Sequence, residues 1–547
     1  MSDAAIEDVL PVTPLQEGLY FEWLYRDGEQ ASYVLQDTLE FEGPLDADRL
    51  AGAATAVFAR HPALRAGFWM RPRTGQLVQV VGKAAEPTLT TVDLTGAEAA
   101  RRDTELRELL AGELRRRHDL AKPPLLRGVL VRLGPEHHVL ALTYHHILLD
   151  GWSSSLLLKE IIDGYDRSLT PAEAAAAPNP YRAYGAWLAS RDRAAAEAAW
   201  RDHLSGFRPG SRLAPGTAGN TALDARHLTR RMDRRATERL RALARADSLT
   251  LNTLVQTAWG LLLGRLRGSD DVVIGRTVGG RPAELPGSDS MIGMFANTVP
   301  ARIRLDPDET LRELCGRLQR EQSRLVRHEF MGLGAIQQLC GQRDLCDTGY
   351  AFQNLPGTAR RPPDRDDGLR ITPGGDNTPH YPLALMAFPD GEELTTRLTY
   401  AGSLFEEAVM EKVASALPLV LDRIAGDPHT RVGEVDDLDV VPLFRPVDEP
   451  ARGRRDDGAE LPQAKVAAAL IGLLSEILDV PETRLGAEDD FFELGGGSLQ
   501  AAHLSIQVRR TLGLELSVRQ ILDNPVIGDM ARACTDAAPA PSRERRG

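Results

Sequence analysis

The chain has 547 residues, of which 42% are hydrophobic and 26% charged, and its formal net charge is −13. That length exceeds one ordinary core and implies two to four domains of soluble globular composition, while the acidic balance argues against nucleic acid or an anionic membrane as partner. No apolar run is long enough to span a bilayer, and the start MSDAAIEDVLPVTP lacks the basic and apolar regions of a signal peptide, so a cytoplasmic location is expected.

Up to about residue 168 strand and helix patterns are mixed. LRGVLVRL and HHVLALTYH are β-rich runs separated by GPE, which predicts a hairpin. WSSSLLLKEIIDGYDRS then has apolar residues at helical spacing, with serines placed to cap its start. SLTPAEAAAAPNP at 168–180 reads as a bridge between two halves. From 181 to 445 the mixture returns, with helical RATERLRALARA and TLVQTAWGLLLGRL followed by the strand-like DVVIGRTV. EPARGRRDDGAELPQ at 449–463 has no hydrophobic period and reads as a flexible linker. The part from about 463 to 536 is helical throughout and suits a short bundle, and APAPSRERRG at 538–547 is expected to be a disordered tail. Cys315, Cys340, Cys346 and Cys534 form no CxxC pair, so neither a zinc site nor a disulfide framework is expected.

Two His-His pairs flank one strand. Side chains alternate across a strand, so each pair can place at most one ring in a given cavity. His137 and His138 follow Gly134-Pro135-Glu136 at the hairpin turn, where a solvated, non-functional role is expected. His145 and His146 end the strand and enter a loop, with Asp150 and Gly151 following before the helix. The Asp can fix the loop through an ion pair, and the Gly permits a backbone turn that a side chain would block. A satisfied core histidine beside a capping Asp would leave the same local pattern.

Near the C-terminus, DDFFELGGGSLQAAHLSIQVRRTLG at 489–513 sets Ser498 after three glycines at the start of a predicted helix. Small residues leave such a serine accessible to a modifying enzyme, and a helix N-terminus favours an attached phosphate. An ordinary serine N-cap is the alternative. The acidic residues Glu488, Asp489, Asp490 and Glu493 are expected to form a solvated face.

HHILLDG fits the HHxxxDG signature, and the chain resembles the condensation domains of nonribosomal peptide synthetases, which share the chloramphenicol acetyltransferase fold. VTPLQEGLYFEWLY at 12–25, RHPALRAGF at 60–68, PYRAYGAWL at 180–188, GGRPAELPGSDSMIGMFANTVPARI at 279–303 and CDTGYAFQNLP at 346–356 match the family's motifs in order. DDFFELGGxSL is similar to the signature of peptidyl carrier proteins. The resemblance implies an α+β, two-lobed condensation domain at 1–445, with an N-lobe to about 178 and a C-lobe from about 179. A linker at 446–463, an all-α four-helix-bundle carrier (thiolation) domain at 464–536 and the tail at 537–547 would follow. It implies that His146 lines the reaction channel, and that His145 and Asp150 hold the loop. The Asp would be held by an arginine of the other lobe, with Arg281 and Arg276 both candidates. Gly151 would offer a backbone N–H to the developing oxyanion, and Ser498 would carry a covalent 4′-phosphopantetheine arm. Gly497 departs from the family, which more often has His or Asp there.

The implied reaction is acyl or peptidyl transfer from an upstream carrier-bound thioester to the amine of an aminoacyl thioester, with Ser498 as the natural acceptor site. Neutral imidazole has the right pKa to take the amine's proton near pH 7, as a general base or as a positioning group. No metal is called for, because the thioester already holds the activation energy. The implied partners are a donor carrier protein in trans, a phosphopantetheinyl transferase and, if the chain is complete, an adenylation domain in trans. TPLQEG with HHILLDGWS resembles subtypes that accept a D-configured donor. Ester formation onto a hydroxyl and a non-catalytic recruitment platform are the alternatives; WSSSLLL after DG disfavours epimerisation, and the histidines disfavour heterocyclisation.

Overall fold

Runs of alternating or continuous β-branched and leucine residues form the strands, and runs with apolar residues every three or four positions form the helices. A computed structural model of the chain describes residues 6–25, 33–71, 73–83, 87–169, 181–208, 213, 224–342, 345–354, 368–376, 381–435 and 461–536. The bridge beyond residue 169, the linker up to residue 460 and the tail at 537–547 lie outside the described residues.

The first half contains β1 (Ile6–Pro11), α1 (Pro14–Tyr25), β2 (Val34–Glu42), α2 (Ala47–Arg60), β3 (Ala66–Met70), β4 (Leu77–Gly82), β5 (Thr88–Asp93), α3 (Ala99–Arg115), β6 (Leu126–Gly134), β7 (His137–His145) and α4 (Gly151–Arg167). The second contains α5 (Tyr181–Ala189), α6 (Arg193–His203), β8 (Ala225–Met232), α7 (Arg234–Ala246), α8 (Leu251–Arg267), β9 (Asp271–Val278), β10 (Asn297–Arg304), α9 (Leu311–Leu325), α10 (Leu333–Leu339), β11 (Thr348–Phe352), β12 (Arg370–Asp376), β13 (Leu383–Asp390), β14 (Glu393–Ala401) and α11 (Glu407–Gly426). Four helices end the described chain: α12 (Leu461–Leu478), α13 (Ser498–Leu512), α14 (Val518–Asp523) and α15 (Ile527–Asp536).

Three sheets organise the two halves, in the orders β12-β2-β7-β6-β5, β10-β9-β11-β13-β14-β8 and β1-β4-β3. β12 comes from the second half yet pairs antiparallel with β2 of the first, from Arg370 opposite Glu42 to Asp376 opposite Gln36. The expected division near residue 178 therefore separates most of the two lobes but not this strand. α2 buries Leu50, Ala53, Ala54, Val57 and Phe58, a helical stripe, and packs against α4. α8 is buried nearly all round from Thr253 to Leu266 and forms the spine of the second lobe. It starts at a Thr250 cap and ends at Gly268.

Three local expectations are corrected. The hairpin turns at Pro135-Glu136, so His137 and His138 open β7 itself. His137 bonds Glu40 at 2.7 Å, and His138 is buried at 4% exposure, because strand pairing sets it opposite Phe41 and Arg132. The cap of α4 is Asp150, which accepts from the Ser153 N–H, while Ser154 and Ser155 donate back to the Gly151 carbonyl. α12 begins at Leu461, slightly inside the expected linker.

The C-terminal four-helix unit has its own core, including Leu470, Leu474, Phe491, Leu504, Val508 and Met530. α13 and α14 pack against α1, which also touches α10, so this core continues into that of the first lobe. No helix among the described residues is long and apolar enough to cross a membrane.

Candidate active site

The loop between β7 and α4 is built by the strand that delivers it and the helix that receives it. His145, the last residue of β7, is 1% exposed and meets the His118 ring edge-on at a centroid distance of 6.3 Å. Its Nδ1 accepts from the Ile147 N–H at 3.1 Å, which leaves the proton of the neutral ring on Nε2. His146 has the opposite arrangement. Its backbone N–H donates to the Tyr33 carbonyl at 2.7 Å, and its ring is half-buried. Nδ1 lies 2.7 Å from the Leu149 carbonyl oxygen, which can only accept, so Nδ1 holds the proton and Nε2 presents a lone pair. Burial lowers the His146 pKa, opposed by the bond to Leu149 and by the charges of Asp150 and Asp37, so the ring is neutral at pH 7.

His118 supports this loop from behind. Arg127 donates to its Nε2 at 2.7 Å, and burial together with Arg127 and Arg116 pushes its pKa down to about 3. An unfolded histidine protonates near 6.5, so stability from this buried neutral ring is lost as pH falls from 6.5 toward 3, by at most roughly 1.4 kcal/mol per pH unit. His118→Phe is expected to flatten the fall of the urea midpoint between pH 6.5 and 5; an unchanged slope would contradict this.

Asp150 ties the loop to the second lobe. Its Oδ1 accepts from the Ser153 N–H at 2.7 Å and from Arg281 Nη2 at 3.4 Å. Its Oδ2 accepts from the Phe295 and Ala296 N–H groups at 2.9 and 3.0 Å. Arg281 also donates to the Ser153 hydroxyl at 2.7 Å and to the Ser288 and Met291 carbonyls, and its guanidinium lies 4.1 Å from the Phe295 ring centroid. Gly280 allows this approach: its φ is +61°, and a Cβ there would stand 1.8 Å from the Phe295 carbonyl oxygen. Arg276, the other candidate, stays on β9 and pairs with Glu329. Asp150→Ala would take the carboxylate from a buried guanidinium and from three backbone donors, and an equilibrium urea titration is expected to show a loss of about 3–5 kcal/mol. Asp150→Asn, which keeps an acceptor oxygen, is expected to lose less.

Gly151 is the first residue of α4 and is absent from the residues with positive φ, so no glycine-specific turn exists there. Its N–H belongs to a helix's first turn, where no intrahelical acceptor exists. A second support for the loop comes from the first motif of the chain, in which no residue stood out by its own chemistry. Gln16, buried at 1% exposure, donates to the Ile147 carbonyl at 2.9 Å. Its Oε1 accepts from the Thr13 N–H and from Gln79 Nε2, at 2.8 and 2.9 Å. The signal that could have found it is an amide side chain inside the apolar run VTPLQEGLY.

In the C-terminal unit α13 begins at Ser498 with Gly497 as its cap, and the Gly497 N–H is closed by Gln500 Oε1 at 3.2 Å. The serine is therefore not the cap. Three side-chain-free residues before a 15-residue helix, whose first turn has no intrahelical acceptors for its N–H groups, fit a phosphodiester on residue 498. Of the acidic residues upstream, Asp489 accepts from the Gly486 N–H at 2.7 Å and Asp490 from the Phe492 N–H at 2.8 Å. Those two fix the loop rather than forming a solvated face. Among the described residues no three His, Cys, Asp or Glu side chains group to hold a metal.

Residues 6–440 match the condensation domain family and residues 468–534 the phosphopantetheine attachment site. A linear gramicidin synthase polypeptide of Brevibacillus parabrevis is 35% identical over 79% of this chain and 6% of its own length. Chondramide synthase cmdD of Chondromyces crocatus is 34% identical over 87% of this chain and 12% of its own length. The chain thus spans a small fraction of these relatives. Among solved structures, the teicoplanin-biosynthesis X-domain in complex with OxyB superposes with a TM-score of 0.66 at 24% identity, over 81% of this chain and 97% of that one. A four-domain nonribosomal peptide synthetase bound to AMP and glycine gives 0.63 at 18% identity, over 89% of this chain and 39% of that one. Both likenesses speak for the fold.

Proposed function

The chain belongs to the condensation-domain family and contains a phosphopantetheine attachment site, and from that premise we propose that it moves an acyl or peptidyl group from a donor carrier's thioester to the amine of an aminoacyl thioester on its own Ser498. A phosphopantetheine arm on Ser498, when present, holds the amino acid as a thioester with its amine free. His146 does the proton work: as the amine nitrogen bonds to the donor carbonyl carbon, its proton passes to Nε2. The Gly151 N–H stabilises the negative charge that gathers on the carbonyl oxygen. Breaking of the carbon–sulfur bond then releases the donor thiolate, which takes up a proton.

The observation that supports this reading is the pinning of His146 Nδ1 by the Leu149 carbonyl, which orients a neutral Nε2 lone pair for use. Packing of α13 and α14 on α1 supports the chain's own carrier as acceptor. No adenylation domain fits between the two matched stretches, which end at 440 and resume at 468, so the amino acid is loaded by a domain outside them. A phosphopantetheinyl transferase supplies the arm, and the donor arrives on another carrier.

Reconstitution tests the reading. A donor carrier charged with a simple acyl group is mixed with this chain bearing an aminoacyl arm, and intact-protein mass spectrometry follows residue 498. A gain of the acyl mass on this chain is expected. Persistent failure with several acyl and aminoacyl pairs would overturn the proposal.

A further inference from the structure

Besides the packing of α13 and α14 on α1, two contacts that involve glycines join the C-terminal unit to the condensation domain. His503 of α13 lies over Gly75 in the turn between β3 and β4. A Cβ on Gly75 would stand 2.4 Å from His503 Nδ1 and 2.8 Å from its Cγ, so any side chain there would displace the ring. The His503 ring is held from its own helix, since Gln507 Nε2 donates to its Nε2 at 3.1 Å. The second contact comes from α10, where Gln338 Nε2 donates to the Gly495 carbonyl at 3.0 Å. A Cβ on Gly497 would stand 3.6 and 3.7 Å from the Gln338 Oε1 and Nε2, and 3.0 Å from Gln500 Oε1. A bare Cβ would be tight only against Gln500 and would touch Gln338 at ordinary contact distance, so it is a side chain longer than Cβ that would have to contend with Gln338. α1 touches both α10 and α13.

We infer that this chain selects its own carrier through two complementary glycines: Gly75 receives His503, and Gly497 leaves room for Gln338. The partner that fits this surface is a carrier with an imidazole five residues after the arm-bearing serine and no side chain immediately before it. Gly497, where the chain departs from the carrier signature, is then a matched feature of the interface rather than a neutral variation. The inference deepens the proposed function, because it rests on this carrier being the acceptor.

The test uses the full chain carrying its arm, with His503→Ala and Gly497→His made separately. Substitutions on the carrier side avoid straining the Gly75 turn, whose φ is +61°. Acquisition of the arm's mass confirms that each carrier variant folds. Deuterium exchange is read in peptides covering 71–77 and 333–341 of the condensation domain, far in sequence from either substitution. Both variants are expected to speed exchange in both peptides by about fivefold, as contacts that protect them open. Transfer to the arm, relative to transfer to a soluble aminoacyl thioester that needs no carrier, is expected to fall about tenfold. Exchange within about twofold of wild type in both peptides would overturn the inference, whatever the transfer rates. If exchange rises as expected while the wild type transfers to neither acceptor, the docking inference stands and the proposed function falls.

Discussion

His146→Ala is expected to lower transfer onto the Ser498 arm by about 10²–10⁴-fold, the usual contribution of a positioned acid–base group. The loss should appear in kcat under saturating donor, because the ring acts on a proton that moves during bond formation rather than on either carrier. Arm attachment, followed by mass, should be untouched. The pH profile gives an independent check. Burial lowers the His146 pKa below 6.5, and the base works in its neutral form. The limb belonging to this ring therefore lies below pH 6.5, with activity falling as pH drops through the lowered value, and it should vanish from the residual activity of the alanine variant. Transfer undiminished in the variant would remove His146 from the mechanism.

Ser498→Ala has an all-or-none outcome: no phosphopantetheine mass is acquired, and no acyl group appears on this chain. The local structure makes this a clean experiment. Gly497 holds the cap position of α13, its N–H is closed by Gln500, and the backbone enters the helix at residue 498 itself, where alanine is a good helix former. The unfolding free energy is expected to stay within about 0.5 kcal/mol of wild type by urea titration. Pantetheine mass on the alanine variant would move the attachment site elsewhere.

Much of this site is legible in the sequence because the chemistry is local. Strand alternation separates His145 from His146, whereas Asp150 takes the capping place that the sequence offered to the serines of α4. What escapes is long-range. The Phe295 and Ala296 N–H groups on Asp150 are backbone donors that any sequence would offer, and their approach depends on the turn at Gly280. That same turn decides between Arg281 and Arg276, two arginines five residues apart whose local patterns do not distinguish them. His138 departs from the expected solvated tip because β7 starts directly after the turn and pairs His138 with Phe41. Asp489 and Asp490 depart from the expected solvated face because carboxylates that accept from nearby backbone look, in sequence, like any acidic run.

The pairing of β12 with β2 bears on synthesis as well as on shape. Glu42 and Arg370 face each other across this pair, so the edge of β2 waits for more than half the chain to emerge before it is covered. Until then it offers a row of unpaired N–H and C=O groups, the template on which nascent chains associate. A fragment cut near residue 178 would retain β6 and β7 yet keep that edge open. The lobes divide the protein spatially, but on the ribosome they mature together.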